Sequence, residues 1–192
     1  MHVGIFGGSF NPPHIAHLIV AEQIRDWYRL DRIVWIPSFQ PPHKQVAELA
    51  PFEHRFEMTR LAVERNAGFE VTDVEYRMGG VSYTVMTIRA LQEASPDTTF
   101  SLLLGGDSMA TFDAWYRPDE ILERVELIVY GRPGYELPAS IEGYSNRIHV
   151  VDAPLLEVSA EQIRAMRRKG RSIRYLVPEP VLAYIEKHGL YQ

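Results

Sequence analysis

Apolar residues recur along this chain in two rhythms. Short runs rich in Val, Ile and Phe occur at residues 3–6, 33–36, 69–74, 100–104, 127–130 and 148–151, and segments of helical period lie between and after them. The first rhythm predicts six strands and the second predicts helices over 15–28, 52–66, 82–94, 160–169 and 179–187. Within the first helix Val20, Ile24 and Trp27 fall on one face, which should pack on a sheet. The run at 100–104 is unbroken and ends at Gly105 and Gly106, as expected of a central strand covered on both sides. Strands alternating with helices predict an α/β class built on a mainly parallel sheet, closed by two C-terminal helices. Gly170 and Gly189 follow those two helices and suit left-handed caps. Residues 40–51 and 132–146 are rich in Pro, Gly or polar residues without helical period, and are expected to be mobile connections. No internal repeat is visible.

Composition narrows this picture. The chain has 192 residues of which 46% are hydrophobic, enough for one sizeable core, so residues 1–192 are read as a single domain. Residues 1–6 run straight into a glycine turn and make no signal peptide, and no stretch is long and apolar enough to span a membrane. There is no cysteine, which removes disulfides and thiolate metal sites and agrees with a cytoplasmic setting. A formal charge of −5 argues against a general nucleic-acid surface, although residues 164–174 are locally basic. Whether the chain is a monomer or a homo-oligomer is left open.

The densest chemistry lies between the first strand and the first helix, in Gly7-Gly8-Ser9-Phe10-Asn11-Pro12-Pro13-His14-Ile15-Ala16-His17. Two glycines let the backbone turn and approach a ligand, and a helix start offers unpaired N–H groups to an anion. Asn11 is placed to cap the helix. His14 and His17, three apart, share one side of its first turn beside any phosphate held there, and their charge could follow the ligand's. Neither Gly-x-Gly-x-x-Gly nor Gly-Lys-Ser/Thr occurs at this position, so a hydride-transfer enzyme is disfavoured.

Instead this segment resembles the His-x-Gly-His signature of the nucleotidylyltransferase superfamily, with Ala16 at the glycine. Further blocks resemble its bacterial nicotinate-nucleotide adenylyltransferase branch, in order along nearly the whole chain. They are Trp35-Ile36-Pro37-Ser38, Pro41-Pro42-His43-Lys44, Ser82-Tyr83-Thr84 with Thr87, Gly105-Gly106-Asp107, Trp115 with Arg132-Pro133-Gly134, Ser159 through Arg164, and Tyr184-Ile185 with Gly189-Leu190-Tyr191. The resemblance implies a Rossmann-like, doubly wound fold and transfer of AMP from ATP to nicotinate mononucleotide, with Mg2+ held by phosphate oxygens and water and by no protein side chain. It also implies the site. His14, His17, Lys44 and Arg164 would be catalytic, and Gly7, Gly8, Ser9, Phe10, Ser159 and Ile163 would join His14, His17 and Arg164 around ATP. Ser38, Lys44, Tyr83, Thr84, Gly105, Asp107, Trp115 and Arg132 would bind the mononucleotide. Backbone N–H groups around Tyr83 and Thr84 would receive the nicotinate carboxylate and Trp115 would stack on the pyridine ring. The other basic residues, Arg167, Arg168, Lys169, Arg171 and Arg174, read as a solvated face.

One block departs from the family's usual Ser-Ser-Thr-x-Ile-Arg. Ser159-Ala160-Glu161-Gln162-Ile163-Arg164 keeps a Ser-x-x-Gln helix start but lacks two hydroxyls, and Glu161 adds a negative charge where the polyphosphate should approach. Weakened ATP binding is expected unless Glu161 turns outward or meets a cation. Ser9 and Asn11 replace the commoner threonine and aspartate, a milder change. Two other readings compete: a nucleotide-binding protein that has lost turnover, motivated by the altered block, and a related transferase acting on pantetheine phosphate or a phosphorylated alcohol.

Overall fold

In the computed structural model, the described residues are 1–42, 49–135 and 146–192. Six strands form one all-parallel sheet: β1 (His2–Gly8), β2 (Arg32–Pro37), β3 (Phe69–Val71), β4 (Thr99–Gly105), β5 (Glu126–Tyr130) and β6 (Ile148–Val151). Their order across the sheet is β3-β2-β1-β4-β5-β6, the doubly wound arrangement in which the chain reverses direction between β1 and β4. Alternation along the central strands sends side chains to two cores. Val3, Ile5, Val34, Ile36, Leu102 and Leu104 face one side, and Phe6, Ile33, Trp35, Leu103 and Ile128 the other.

Helices cover both sides. The first core is closed by α3 (Val74–Met78), α4 (Thr84–Ala94) and α6 (Pro118–Arg124), through Val74, Val85, Ile88, Ile121 and Leu122. The second is closed mainly by α1 (Ile15–Trp27), through Val20, Ala21 and Ile24, and by Val63 of α2 (Phe52–Val63). A short α5 (Gly106–Met109) follows β4 directly. The C-terminal helices α7 (Ala160–Arg168) and α8 (Glu179–Lys187) build a third cluster on α2, with Met58, Ile163, Val181 and Ile185 at its centre. Among the described residues no helix is long and apolar enough to cross a membrane.

Most predicted elements form, with differences that have local causes. Trp27 is 49% exposed although Val20 and Ile24 of the same helix are buried, because α1 ends there and the chain turns at Tyr28 into a left-handed Arg29. The strand predicted over 69–74 stops at Val71, and Asp73 starts α3 instead. Gly170 and Gly189 adopt φ of 65° and 60°, and the amides that follow them reach back five residues, Arg171 N to Met166 O and Leu190 N to Ile185 O, as left-handed caps require. The segments expected to be mobile fall largely on residues 43–48 and 136–145, outside the described residues.

The register makes room for a ligand. Pairing of β1 with β2 continues to Gly8↔Pro37, whereas pairing of β1 with β4 ends at Ile5↔Leu102. Beyond that pair the two central strands part at their C-terminal ends, the switch point where open α/β sheets bind ligands.

Candidate active site

The loop leaving β1 is tied by hydrogen bonds to Arg55, Arg164 and Tyr191. Phe10 has φ of 42°, and the Asn11-Pro12 peptide is cis. Asn11 does not cap α1. Its side chain is 1% exposed and accepts from Ala50 N at 3.1 Å and Tyr191 OH at 2.8 Å, which ties the loop to the 49–51 segment and to the C-terminus. The cap is His14, whose backbone N–H donates to His17 Nδ1 at 3.1 Å.

The two imidazoles stack with centroids 3.6 Å apart, and Phe10 meets His17 edge-on at 5.2 Å. His14 is buried, its Nδ1 has no hydrogen-bond partner among the described residues, and Arg132 lies near. Burial first, and then the charge of Arg132, push its pKa down to about 3, so His14 is neutral at pH 7. A polyphosphate held beside the ring would favour its charged form.

Two cavities open from this loop. The larger, about 1160 Å³, is mostly polar and runs between the loop and α7, past Gly7, Ser9, His17, Arg132, Arg164 and Tyr191. The other, about 850 Å³ and mostly apolar, runs between the sheet and the start of α4, past Ser38, Glu75, Tyr83, Thr84, Thr87 and Trp115. Gly7, Gly8, Ser9, Asp107 and Ser108 line both. A Cβ on Gly7 would meet nothing within 4 Å, so the glycine leaves open space between the cavities. A Cβ on Gly105 would clash with Asp107 Oδ1, and the glycine thereby lets that carboxylate fold back beside β4, 3.6 Å from Arg132 Nε.

On the far wall α7 starts at Ser159, whose Oγ accepts from Gln162 N at 3.1 Å. Arg164, one turn in, donates to Asn11 O at 2.9 Å and so bridges α7 to the loop. Glu161, Arg164 and Arg168 line the polar cavity together. The carboxylate introduced by Glu161 therefore shares the cavity wall with two guanidinium groups.

The arrangement can hold two ligands end to end, one anionic and one flat and partly apolar, with their junction over the β1 loop. The cytidylyltransferase-like family model matches residues 5–166. The chain is 54% identical over 192 residues to a probable nicotinate-nucleotide adenylyltransferase of Salinibacter ruber, covering 100% of this chain and 98% of that protein. It is 41% identical over 189 residues to the probable nicotinate-nucleotide adenylyltransferase of Streptococcus pneumoniae, covering 98% and 88%. The chain belongs to the nicotinate-nucleotide adenylyltransferase family. The fold agrees: nicotinic acid mononucleotide adenylyltransferase of Plasmodium falciparum, solved in complex with NaAD, superimposes with a TM-score of 0.84 at 22% identity, over 99% of this chain and 97% of that one.

The residues singled out from the family's motifs distribute as follows. Phe10, His14, His17, Ser159 and Arg164 line the polar cavity with Gly7, Gly8 and Ser9. Ser38, Tyr83, Thr84, Asp107 and Trp115 line the apolar one, and Trp115 also packs on Phe112 at 5.5 Å. Arg132, grouped with the mononucleotide by resemblance, lies on the polar side. Ile163 does not reach the cavity: it is fully buried against Met58 and Val181, and its N–H is taken by Ser159 O. Tyr83 N–H donates to Val81 O at 2.9 Å, so the open donors at the start of α4 begin with that of Thr84. Arg168, read as part of a solvated face, lines the cavity because it sits one turn beyond Arg164. Lys44 lies outside the described residues.

Sequence reasoning missed the bracing of the loop. Arg55 and Glu75 are buried charges on α2 and α3, and neither carried a motif signal beyond being a charge beside apolar residues. Tyr191 stood in the family's final block, but nothing in the sequence indicated that its hydroxyl reaches Asn11.

Proposed function

We propose that this chain transfers the AMP part of ATP to nicotinate mononucleotide, giving nicotinate adenine dinucleotide and pyrophosphate, in the cytoplasm. The observation that carries the reading is the pair of cavities, one polar and cationic, one apolar with an aromatic wall and a helix start, meeting at Gly7, Gly8, Ser9, Asp107 and Ser108. The Plasmodium falciparum relative has been solved with NaAD and with APC, which agrees with a site for both halves of the product.

The attacking group is the 5′-phosphate of the mononucleotide, already largely dianionic at pH 7 since its second pKa is near about 6. No general base is needed. One of its oxygens forms a bond to the α-phosphorus of ATP while the bond from that phosphorus to the bridging oxygen breaks, and the electron pair leaves on pyrophosphate. The protein's task is to align two anions that repel each other and to receive charge on the leaving group. In this reading His14 and His17 flank the α-phosphate at the start of α1, and Arg164 and Arg168 take the β- and γ-phosphates, with Lys44 added by family resemblance. Thr84 N–H receives the nicotinate carboxylate and Trp115 the pyridine ring.

Magnesium belongs to the same proposal. The carboxylates on the polar wall are Asp107 and Glu161, and no group of three side chains suited to a metal ion occurs among the described residues. That donor set fits an ion carried on the polyphosphate and water, where it would neutralise charge on the leaving group.

The test is pyrophosphate release from ATP and magnesium against a panel: nicotinate mononucleotide, pantetheine phosphate and a phosphorylated alcohol. Release with the mononucleotide alone is expected. Release with either of the others instead would assign a related transferase, and saturable ATP binding without release would assign a binding protein.

A further inference from the structure

Two charged side chains beside the cavities take no part in the reaction described above, and both are nearly fully buried. Arg55 is 2% exposed and Glu75 7%. A buried charge is costly unless its hydrogen bonds are met, so the groups that meet them show what each side chain holds in place. Arg55 donates to three backbone carbonyls from three separate segments: Ala50 O at 2.9 Å, Ser9 O at 2.9 Å and Phe39 O at 3.4 Å. Glu75 accepts from Thr87 Oγ1 at 2.9 Å and from Phe39 N at 3.2 Å. Phe39 N also donates to Ser82 Oγ at 3.0 Å.

Phe39 is therefore gripped at both of its backbone groups, its N–H by the carboxylate and its carbonyl by the guanidinium. Its ring is fixed as well, edge-on to Phe52 at 5.8 Å and to Tyr76 at 5.3 Å. The two ends of this chain of contacts lie in different cavities. Ala50 lines the polar one and Ser9 the junction of the two, while Glu75, Ser82 and Thr87 line the apolar one.

We propose that Glu75 and Arg55 act through Phe39 as positioning residues that couple the two substrate cavities. This rests on the reading of the cavities given above. A mononucleotide that settles the start of α4 fixes Thr87 and Ser82, hence Glu75 and Phe39, and so the carbonyls of Ser9 and Ala50 that shape the phosphate loop. Coupling of this kind is reciprocal: ATP tightens the mononucleotide by the same factor. Glu75→Gln interrupts it, because an amide has one acceptor oxygen where the carboxylate has two, and its NH2 would oppose Phe39 N–H. Arg55→Lys interrupts it by losing the planar fork that reaches three carbonyls.

The experiment is calorimetric titration with an ATP analogue carrying a methylene between its α- and β-phosphorus atoms, with and without saturating nicotinate mononucleotide. In the unaltered protein the mononucleotide is expected to tighten the analogue at least about fivefold. Glu75→Gln and Arg55→Lys should each bring that factor below about twofold, and the double variant should be no lower than either single one, as for residues on one path. Thr87→Val removes the hydroxyl bound to Glu75 and keeps the shape, so it carries the test if either charge variant fails to fold. A factor near one in the unaltered protein, or a factor unchanged in all three variants, overturns the coupling. Pyrophosphate release by the unaltered protein, assayed alongside, separates the failures. Its absence removes the proposed reaction, whereas turnover with unchanged coupling removes only this inference.

Discussion

His14 and His17 have the same side chain, lie three residues apart and differ in what surrounds them. His14 is almost fully buried in the wall of the polar cavity, and its proton affinity is lowered by burial and by Arg132. The folded protein protonates it only near pH 3, the unfolded chain near 6.5. The stability this neutral group contributes is fully present above pH 6.5 and is lost progressively as pH falls from there towards 3. Between pH 7 and pH 5 the unaltered protein should lose about 2 kcal/mol more stability than His14→Asn, as read from urea unfolding at each pH. Parallel losses would mean that His14 is not held neutral. His17 is predicted to matter for rate and not for folding: His17→Ala should lower kcat by about 100-fold or more while circular dichroism and the melting temperature stay close to those of the unaltered protein. Full activity in that variant would remove the loop from the chemistry. At this scale the sequence was informative about position and silent about environment. Spacing and loop context placed both histidines beside one cavity, but the lowered proton affinity of His14 comes from burial in the folded chain and from the charge of Arg132, more than a hundred residues away. Asn11 shows the same limit, since a residue suited to capping was captured by Tyr191 and Ala50.

Long elements were legible and short ones were not. The helices α1, α4, α7 and α8 carry two or more turns of apolar period, and their ends were marked by Ser159, Gly170 and Gly189. By contrast α3 and α5 have five and four residues, about one turn each, which gives periodicity nothing to repeat over. They exist because β3 and β4 deliver the chain to the edge of a core that Val74 and Met109 complete. Helix α7 is where the altered family block has its consequence. Glu161 lines the polar cavity, and Arg164 and Arg168 line it too. If Arg168 offsets the lost hydroxyls, Arg168→Met should raise the KM for ATP by about three- to tenfold, in keeping with one charge-assisted contact at a partly solvated site. Glu161→Thr should lower it by a similar factor. Both variants should leave the KM for nicotinate mononucleotide nearly unchanged in steady-state assays, and a change confined to that second substrate would put α7 on the wrong side of the reaction.

Across the whole molecule, function follows from where β1 and β4 part. Their pairing ends at Ile5↔Leu102, and the gap beyond is walled by a glycine loop on one side and by Asp107 on the other. The doubly wound sheet and the family were legible because apolar runs and ordered motifs span nearly the entire chain. The meeting of two cavities at Gly7, Gly8 and Ser9 was not, since it depends on segments from residue 7 to residue 192 converging. The apolar cavity, with Trp115 on its wall and Thr84 N–H at the start of α4, is the feature that should choose an acid over an amide. The most direct measurement is kcat/KM for pyrophosphate release from ATP and magnesium with nicotinate mononucleotide and, separately, with nicotinamide mononucleotide. A preference for the acid of at least about tenfold, roughly 1.4 kcal/mol in transition-state binding, is predicted. Equal use, or preference for the amide, would contradict it.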